Sequence, residues 1–147
     1  IRYKGLSDLV IPSRDRCSCG TPGMVIDKIL GRDDLALFFS GGRILLPVSI
    51  SEIHGRLLNE LRTNIVKHTR IFQPDENHIE ISLVLDEEKK KEGPSKDQIF
   101  SLLREGYHKK IGKNVEINIT EVKRVKKREP RIVSYVDKDN FEIKEYI

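Results

Sequence analysis

Two cysteines, Cys17 and Cys19, stand one residue apart in a loop rich in proline and glycine. They are too close in sequence for an ordinary structural disulfide, so the pattern favours a metal site or no function. Two thiolates at this spacing can bind one Zn²⁺, but a closed structural site needs four ligands. The four histidines are dispersed and show no ligand spacing. Any zinc site would need ligands from outside this chain.

A second candidate is a basic cluster near the C-terminus. The net charge of the chain is +4, and the excess is concentrated in one segment that contains Lys123, Arg124, Lys126, Lys127, Arg128 and Arg131. Such a cluster can bind phosphates, and a nucleic-acid-binding domain is one alternative for this chain. Single-stranded nucleic acids also require exposed rings at alternating strand positions. Phe39 and Phe72 are isolated, so nucleic acid is not the expected partner. A regulatory or oligomerisation domain is the other alternative.

The remaining sequence lacks a self-contained catalytic arrangement. No Ser/His/Asp set, carboxylate pair or Cys/His pair has a catalytic spacing, and no G-x-x-x-x-G-K-[ST] phosphate loop is present. We therefore expect the chain to be inactive alone and to hold no cofactor tightly.

Composition indicates a small globular domain. Of the 147 residues, 37% are hydrophobic and 34% are charged, which is enough for one modest core. The chain begins at Ile1 on a charged, strand-like stretch, which we interpret as part of a larger protein. There is no membrane-spanning apolar run and no signal-peptide pattern, so a cytoplasmic location without membrane contact is expected.

Apolar runs predict strands over 8–12 and 24–30, followed by a hairpin of strands 35–39 and 43–48 around Ser40-Gly41-Gly42. Further strands are expected over 68–73, 78–85 and 115–119, with an extended stretch at 131–137.

Two capping boxes predict helices. Ser49 with Glu52 begins a helix over 50–66, and Ser95 with Gln98 begins one over 96–111 that ends at Gly112. The predicted fold class is α+β: a small sheet with two main helices packed on one face, preceded by a β-hairpin and by additional strands.

Two motifs resemble those of adenylate-forming enzymes, the superfamily of acyl-CoA synthetases, peptide-synthetase adenylation domains and luciferases. IRYKGLSDL at 1–9 is similar to the RYRTGDL motif, with one extra residue before Asp8. Gly31-Arg32-Asp33-Asp34, five further residues and Ser40-Gly41-Gly42-Arg43 resemble the hinge block GRxDD…SGxR. Cys17-Ser18-Cys19-Gly20 resembles the CxCG of the phenylacetate-CoA ligase and CapK-like branch, which has the closest pattern.

The resemblance implies two domains. Residues 1–33 would be the end of a large N-terminal adenylation domain, and residues 34–147 would be the C-terminal lid domain. The full enzyme would use ATP and Mg²⁺ to activate a carboxylate as acyl-AMP and pass it to a thiol such as coenzyme A. A relative that only transfers AMP to a deazaflavin coenzyme is the alternative within this branch. The carboxylate is not identified by the sequence.

The resemblance also assigns roles to single residues. Asp8 would accept hydrogen bonds from the ribose of ATP, and Arg32 would contact ribose or phosphate. Asp34 would be the hinge about which the lid domain rotates. Gly41 and Gly42 would lie against the pantetheine arm of the thiol acceptor, although a hairpin turn alone also explains them. Zinc would bind Cys17 and Cys19 only together with the large domain.

One departure from the family concerns its C-terminal lysine, which contacts the carboxylate and the α-phosphate during adenylation. Counted from Pro130, Tyr135 occupies its position; aligned on the tail, the lysine loop is deleted. Lys138 or Arg131 could substitute for it, and Lys138 is the candidate that we name as catalytic.

Overall fold

The computed structural model describes residues 8–13, 15, 18–20, 23–125, 130–138 and 140–147. The fold is α+β, with two α-helices and three small sheets, as the sequence predicts. No helix among these residues is long and apolar enough to cross a membrane.

The first sheet pairs β1 (Asp8–Pro12) with β2 (Ile26–Arg32) in antiparallel orientation. These two strands pair only with each other within the described residues. A single 3-10 turn, Asp33–Leu35, then leads to the hairpin. The sequence placed the hairpin's first strand at 35, but this turn delays it to Leu37.

The second sheet contains β3 (Leu37–Phe39), β4 (Arg43–Leu45) and the two-residue β9 (Glu145–Tyr146), which lies parallel to β4. The predicted extension of the second hairpin strand to 48 is wrong, because the first helix begins at Pro47. Strand β9 was not expected, since two residues carry no periodic signal.

Helix α1 spans Pro47–Leu61. The predicted capping box of Ser49 and Glu52 is wrong: the N-cap is Leu46 and no side chain caps the helix. Proline suits the first helical position because its missing N–H would have no intrahelical partner there. The helix ends before 66 because Arg62 adopts a left-handed conformation with φ of 51°.

The third sheet has the order β7-β6-β5-β8. Strands β5 (Val66–Asp75) and β6 (His78–Leu85) are antiparallel, while β7 (Glu116–Glu121) and β8 (Ile132–Ser134) run parallel to their neighbours. The expected stretch 131–137 is a strand only over these three β8 residues. A second 3-10 turn, Lys89–Lys91, follows β6.

Helix α2 spans Lys96–Ile111 and confirms the second capping box. The amide of Gln98 donates to Ser95 Oγ at 3.2 Å, and the amide of Ser95 donates to Gln98 Oε1 at 2.8 Å. Gly112 ends the helix as predicted. The main core lies between the two helices and the third sheet, and it includes Ile53, Ile81, Leu103 and Tyr107.

A second, smaller core connects the first sheet to the hairpin. Ala36, Phe38, Ile44 and Leu46 are buried, and Leu9, Leu30, Val136 and Phe141 pack against them. The C-terminal tail therefore contributes to the same cluster as the strands that precede the hinge block.

Candidate functional site

The structure brings the two predicted nucleotide-binding residues to one end of the first sheet. Asp8 is the cross-strand partner of Arg32. Arg32 Nε donates to Asp34 Oδ1 at 2.8 Å, and its Nη2 donates to Asp34 Oδ2, so the guanidinium binds the Asp34 carboxylate through two nitrogens. This hydrogen bonding and the charge of Asp34, followed by the charges of Asp8 and Asp33, raise the pKa of Arg32 above its ordinary value.

This ion pair is open to solvent. The side chains of Arg32 and Asp34 are 43% and 50% exposed. Exposed ion pairs contribute little to stability, so a phosphate or ribose could replace Asp34 on the guanidinium at low cost. Arg32 therefore presents solvent-accessible donors beside an exposed carboxylate.

Asp34 itself lies in the 3-10 turn between the first sheet and the hairpin. The flanking residues Arg32 and Ala36 are extended, with ψ of 136° and 157°. A short turn between two extended residues can absorb a rotation without disrupting a helix or a strand ladder. The hinge role of Asp34 stays a prediction.

The tail residue Lys138 reaches the same turn. Its Nζ donates to the carbonyl oxygen of Asp33 at 3.1 Å and lies 5.1 Å from the centroid of the Phe38 ring. Its ammonium is thus held by a carbonyl dipole and an aromatic face. The C-terminal tail therefore supplies a cation to the 3-10 turn Asp33–Leu35, which we call the hinge turn after the predicted role of Asp34.

The other two tail candidates lie elsewhere. The side chain of Tyr135 is 72% exposed, and its ring meets the edge of Phe72 with centroids 5.1 Å apart. Arg131 lines a cavity beside His54. Of these three tail residues, Lys138 is therefore the one whose side chain donates to the hinge turn.

Gly41 and Gly42 both have positive φ, of 81° and 78°, which side chains with a Cβ rarely adopt. Their surroundings differ. A Cβ on Gly42 would lie 2.5 Å from the carbonyl oxygen of Glu142, whereas a Cβ on Gly41 would meet nothing within 4 Å. The tail also donates to Gly42, from the Lys144 amide at 2.7 Å. Gly42 is therefore covered by the tail, and Gly41 faces open space.

The cysteine loop departs from expectation. Cys19 is disulfide-bonded, so the prediction that these cysteines form no disulfide is wrong. The expectation was too strict, because Cα atoms two positions apart can lie within the span of about 4.4–6.8 Å that a disulfide allows. Cys17 lies outside the described residues. A sulfur in a disulfide is not a thiolate ligand, and no group of three or more potential metal ligands occurs in the described part of the chain.

Sequence reasoning missed Gln73, which is fully buried. Its Oε1 accepts from the Phe38 amide at 3.0 Å and from Ser134 Oγ at 2.8 Å, and its Nε2 donates to the Phe38 carbonyl at 2.6 Å. These bonds join β3, just after the hinge turn, to β5 and β8. A glutamine in phase with Thr69 and Ile71 on a strand was the available signal.

Comparison with known proteins finds similarity to solved structures, which include those of a CoA ligase. No protein-family profile matches the chain, and no curated protein matches it. Among solved structures, 2-hydroxyisobutyryl-CoA ligase in the postadenylation state in complex with R3-HIB-AMP has a TM-score of 0.48 and 17% identity over 91% of this chain. The same ligase in an open conformation in complex with 2-HIB-AMP and CoA has a TM-score of 0.48 and 16% identity over 86%. The chain spans 28% and 27% of the length of these ligase chains.

Proposed function

We propose that this chain is the C-terminal part of an ATP-dependent adenylate-forming ligase, similar to the phenylacetate-CoA ligase and CapK-like branch. The whole enzyme activates a carboxylate as acyl-AMP, using Mg²⁺ and ATP, and transfers the acyl group to a thiol such as coenzyme A. The chain alone lacks the phosphate loop and the acyl pocket, and it is inactive.

One observation carries this proposal: Asp8 of the motif at 1–9 and Arg32 and Asp34 of the hinge block lie together at one polar site. Asp8 and Arg32 are paired across two strands, and Arg32 binds Asp34. Asp8 offers acceptors for ribose hydroxyls, and Arg32 offers donors for phosphate. Both groups needed at the ribose end of a nucleotide therefore occur at one sheet end.

The proposed boundary is supported by the first sheet. A two-stranded sheet is marginally stable alone. Met24, which precedes β2, and Ile26 and Ile29 within β2 are 78%, 49% and 70% exposed, so the described residues leave these apolar side chains without cover. A large N-terminal domain would cover them, so residues 1–33 end that domain, residues 34–147 form the lid, and Asp34 is the hinge between them.

The proposed transfer step uses the glycine loop. Gly41 presents exposed backbone in open space, where a pantetheine arm could lie close to the chain. Gly42 shapes the loop and supports the tail. A zinc site at Cys17 and Cys19 would require reduction of the disulfide at Cys19 and ligands from the large domain.

The test uses the whole protein encoded by the reading frame that contains this chain. We expect carboxylate-dependent exchange of pyrophosphate into ATP, followed by thioester formation with coenzyme A, and neither reaction with the 147-residue chain alone. Asp8→Ala and Arg32→Ala should lower both half-reactions, while Lys28→Ala, on the exposed surface of β2, is the matched control.

Other outcomes identify the alternatives. AMP transfer to a deazaflavin coenzyme without thioester formation would assign the chain to the AMP-transferring relatives. Absence of exchange with any carboxylate, in a whole protein that lacks a Gly/Ser/Thr-rich phosphate loop, would contradict the proposal and favour a regulatory domain.

A further inference from the structure

Strand β3 takes part in both hydrophobic cores. The side chains of Leu37 and Phe39 belong to the main core, and the side chain of Phe38 between them belongs to the second core. One edge of this strand pairs with β4. The backbone groups of Phe38 on the other edge need partners from elsewhere, because a buried N–H or C=O without a hydrogen bond is costly.

The carboxamide of Gln73 supplies both partners. Its Oε1 accepts from the Phe38 amide at 3.0 Å, and its Nε2 donates to the Phe38 carbonyl at 2.6 Å. The backbone of a neighbouring antiparallel strand would offer the same acceptor and donor. Gln73 is fully buried, so these bonds are protected from competition by water. A single side chain therefore attaches β3 to the third sheet much as an additional strand would.

Gln73 also fixes the path of the tail. Ser134 Oγ donates to Gln73 Oε1 at 2.8 Å, and the Tyr135 amide donates to the Gln73 carbonyl at 2.9 Å. The Val136 amide in turn donates to Ser134 Oγ at 3.3 Å. The tail is thus held by contacts that begin at Gln73 and continue almost to Lys138.

Both sets of contacts converge on Lys138. Its Nζ lies 5.1 Å from the centroid of the Phe38 ring and donates to the Asp33 carbonyl. The Phe38 ring also meets Phe141 of the tail edge to face, with centroids 5.3 Å apart. Gln73 therefore holds the strand that offers the aromatic face and the tail that offers the ammonium group.

We propose that Gln73 is a positioning residue: its carboxamide fixes Phe38 and Ser134 so that the tail holds Lys138 at the hinge turn. In the proposed ligase Lys138 belongs to the lid and Asp33 to the large domain, so their contact restrains rotation of the lid. That consequence alone rests on the proposed function. The placement of Lys138 is a property of the chain and can be measured without any activity.

The experiment labels the lysines of the 147-residue chain by reductive methylation with ¹³C-formaldehyde, which keeps their charge, and follows the methyl signals by nuclear magnetic resonance. Lys138 over Phe38 and Lys96 over Phe100 should both give ring-current-shifted signals, because an aromatic ring shields methyl groups above its face. Lys138→Arg and Lys96→Arg identify the two signals. Lys96 lies on α2 and reports whether the chain is folded.

Variants test the role of the carboxamide. Gln73→Met keeps the length of the side chain but loses its hydrogen bonds to β3 and β8, so the Lys138 signal should lose its ring-current shift while the Lys96 signal stays. Ser134→Ala should lose part of the Lys138 shift, and Ser134→Thr should retain it because the hydroxyl is kept. Thr69→Val removes a buried polar group from the same strand and is the matched control, with no change expected at Lys138.

An unchanged Lys138 signal in folded Gln73→Met would overturn the proposal, because the tail would then be placed without Gln73. Loss of this signal in Thr69→Val would also overturn it, since the response would be to general loosening of the sheet. If Gln73→Met loses the Lys96 signal as well, the variant is unfolded and the two Ser134 variants decide: equal Lys138 signals in them would contradict the proposal. Pyrophosphate exchange by the whole protein tests the ligase assignment separately.

Discussion

At the scale of single residues, burial controls the chemistry of His54. Its imidazole is enclosed beside the fully buried Tyr107, and burial is the largest cause that lowers its pKa from 6.5 to about 4. A charged imidazole would lose hydration that its surroundings do not replace. The fold therefore selects the neutral form of this histidine across the physiological pH range.

This preference predicts acid sensitivity of folding. The pKa of His54 is lower in the folded state, so only the unfolded state gains its proton as pH falls through about 6.5, until the folded state is protonated near 4. The contribution that neutral His54 makes to stability is therefore present above about pH 6.5, and it is lost as the pH falls from about 6.5 to about 4. We expect the free energy of unfolding to fall by about 2 kcal/mol between about pH 7.5 and about pH 5.

The measurement is urea denaturation at several pH values, for wild type and His54→Gln. The glutamine variant removes the titrating group, so the difference between the two profiles isolates His54 from the carboxylates. Parallel profiles over this interval would contradict the buried neutral state.

At this scale the sequence motifs named side chains that strand pairing places together, while the roles of those side chains stay predictions. The motif at 1–9 named Asp8 and the hinge block named Arg32, and the two residues are cross-strand partners in the first sheet. The sequence could not predict that Lys138 donates to Asp33, because the two residues are 105 positions apart. Such contacts depend on the path of the tail, which no periodicity records.

At the scale of elements, the two helices show which signals are reliable. The capping box at Ser95 predicted the start of α2 because both partners are three residues apart and act locally. The same pattern at Ser49 failed because Pro47 and the preceding extended Leu46 start the helix earlier, which leaves Ser49 buried within it. Strands β8 and β9 are short and run parallel to β5 and β4, so their pairing depends on residues that are far away in the sequence.

The glycines of the helices predict opposite effects of the same substitution. A Cβ on Gly106 of α2 would lie 2.9 Å from Ile53 Cγ2 of α1, whereas a Cβ on Gly55 would meet nothing within 4 Å. Gly55→Ala should stabilise the protein by about 0.5–1 kcal/mol through lower backbone entropy in the unfolded state. Gly106→Ala gains the same entropy but forces the helices apart, at a cost of about 1–3 kcal/mol.

Denaturant midpoints of the two single variants and the double variant measure this difference. The two effects should add within about 0.5 kcal/mol unless helix separation also disturbs Gly55. A stabilising Gly106→Ala would show that the helices do not pack as closely as the structure has them.

At the scale of the whole molecule, the C-terminal tail connects the parts. β8 joins the third sheet, β9 joins the hairpin sheet, and Lys138 between them donates to the hinge turn. The tail also covers Gly42. In the proposed ligase, movement of the lid would therefore be coupled to the tail, because the tail contacts both the hinge and the loop that follows β3.

The last prediction concerns adenylation by the whole protein. In the proposed alignment Tyr135 replaces the lysine that stabilises phosphate charge, and Lys138 is held at Asp33 and Phe38. A positioned cation is worth about 3 kcal/mol, or about a hundredfold in rate. We expect slow pyrophosphate exchange that Tyr135→Lys accelerates, with little change in Lys138→Ala or in the control Lys113→Ala on the exposed surface. Rapid wild-type exchange that is lost in Lys138→Ala, but not in Lys113→Ala, would contradict this prediction. It would assign the adenylation role to Lys138, which would then have to leave the hinge turn to reach the phosphate.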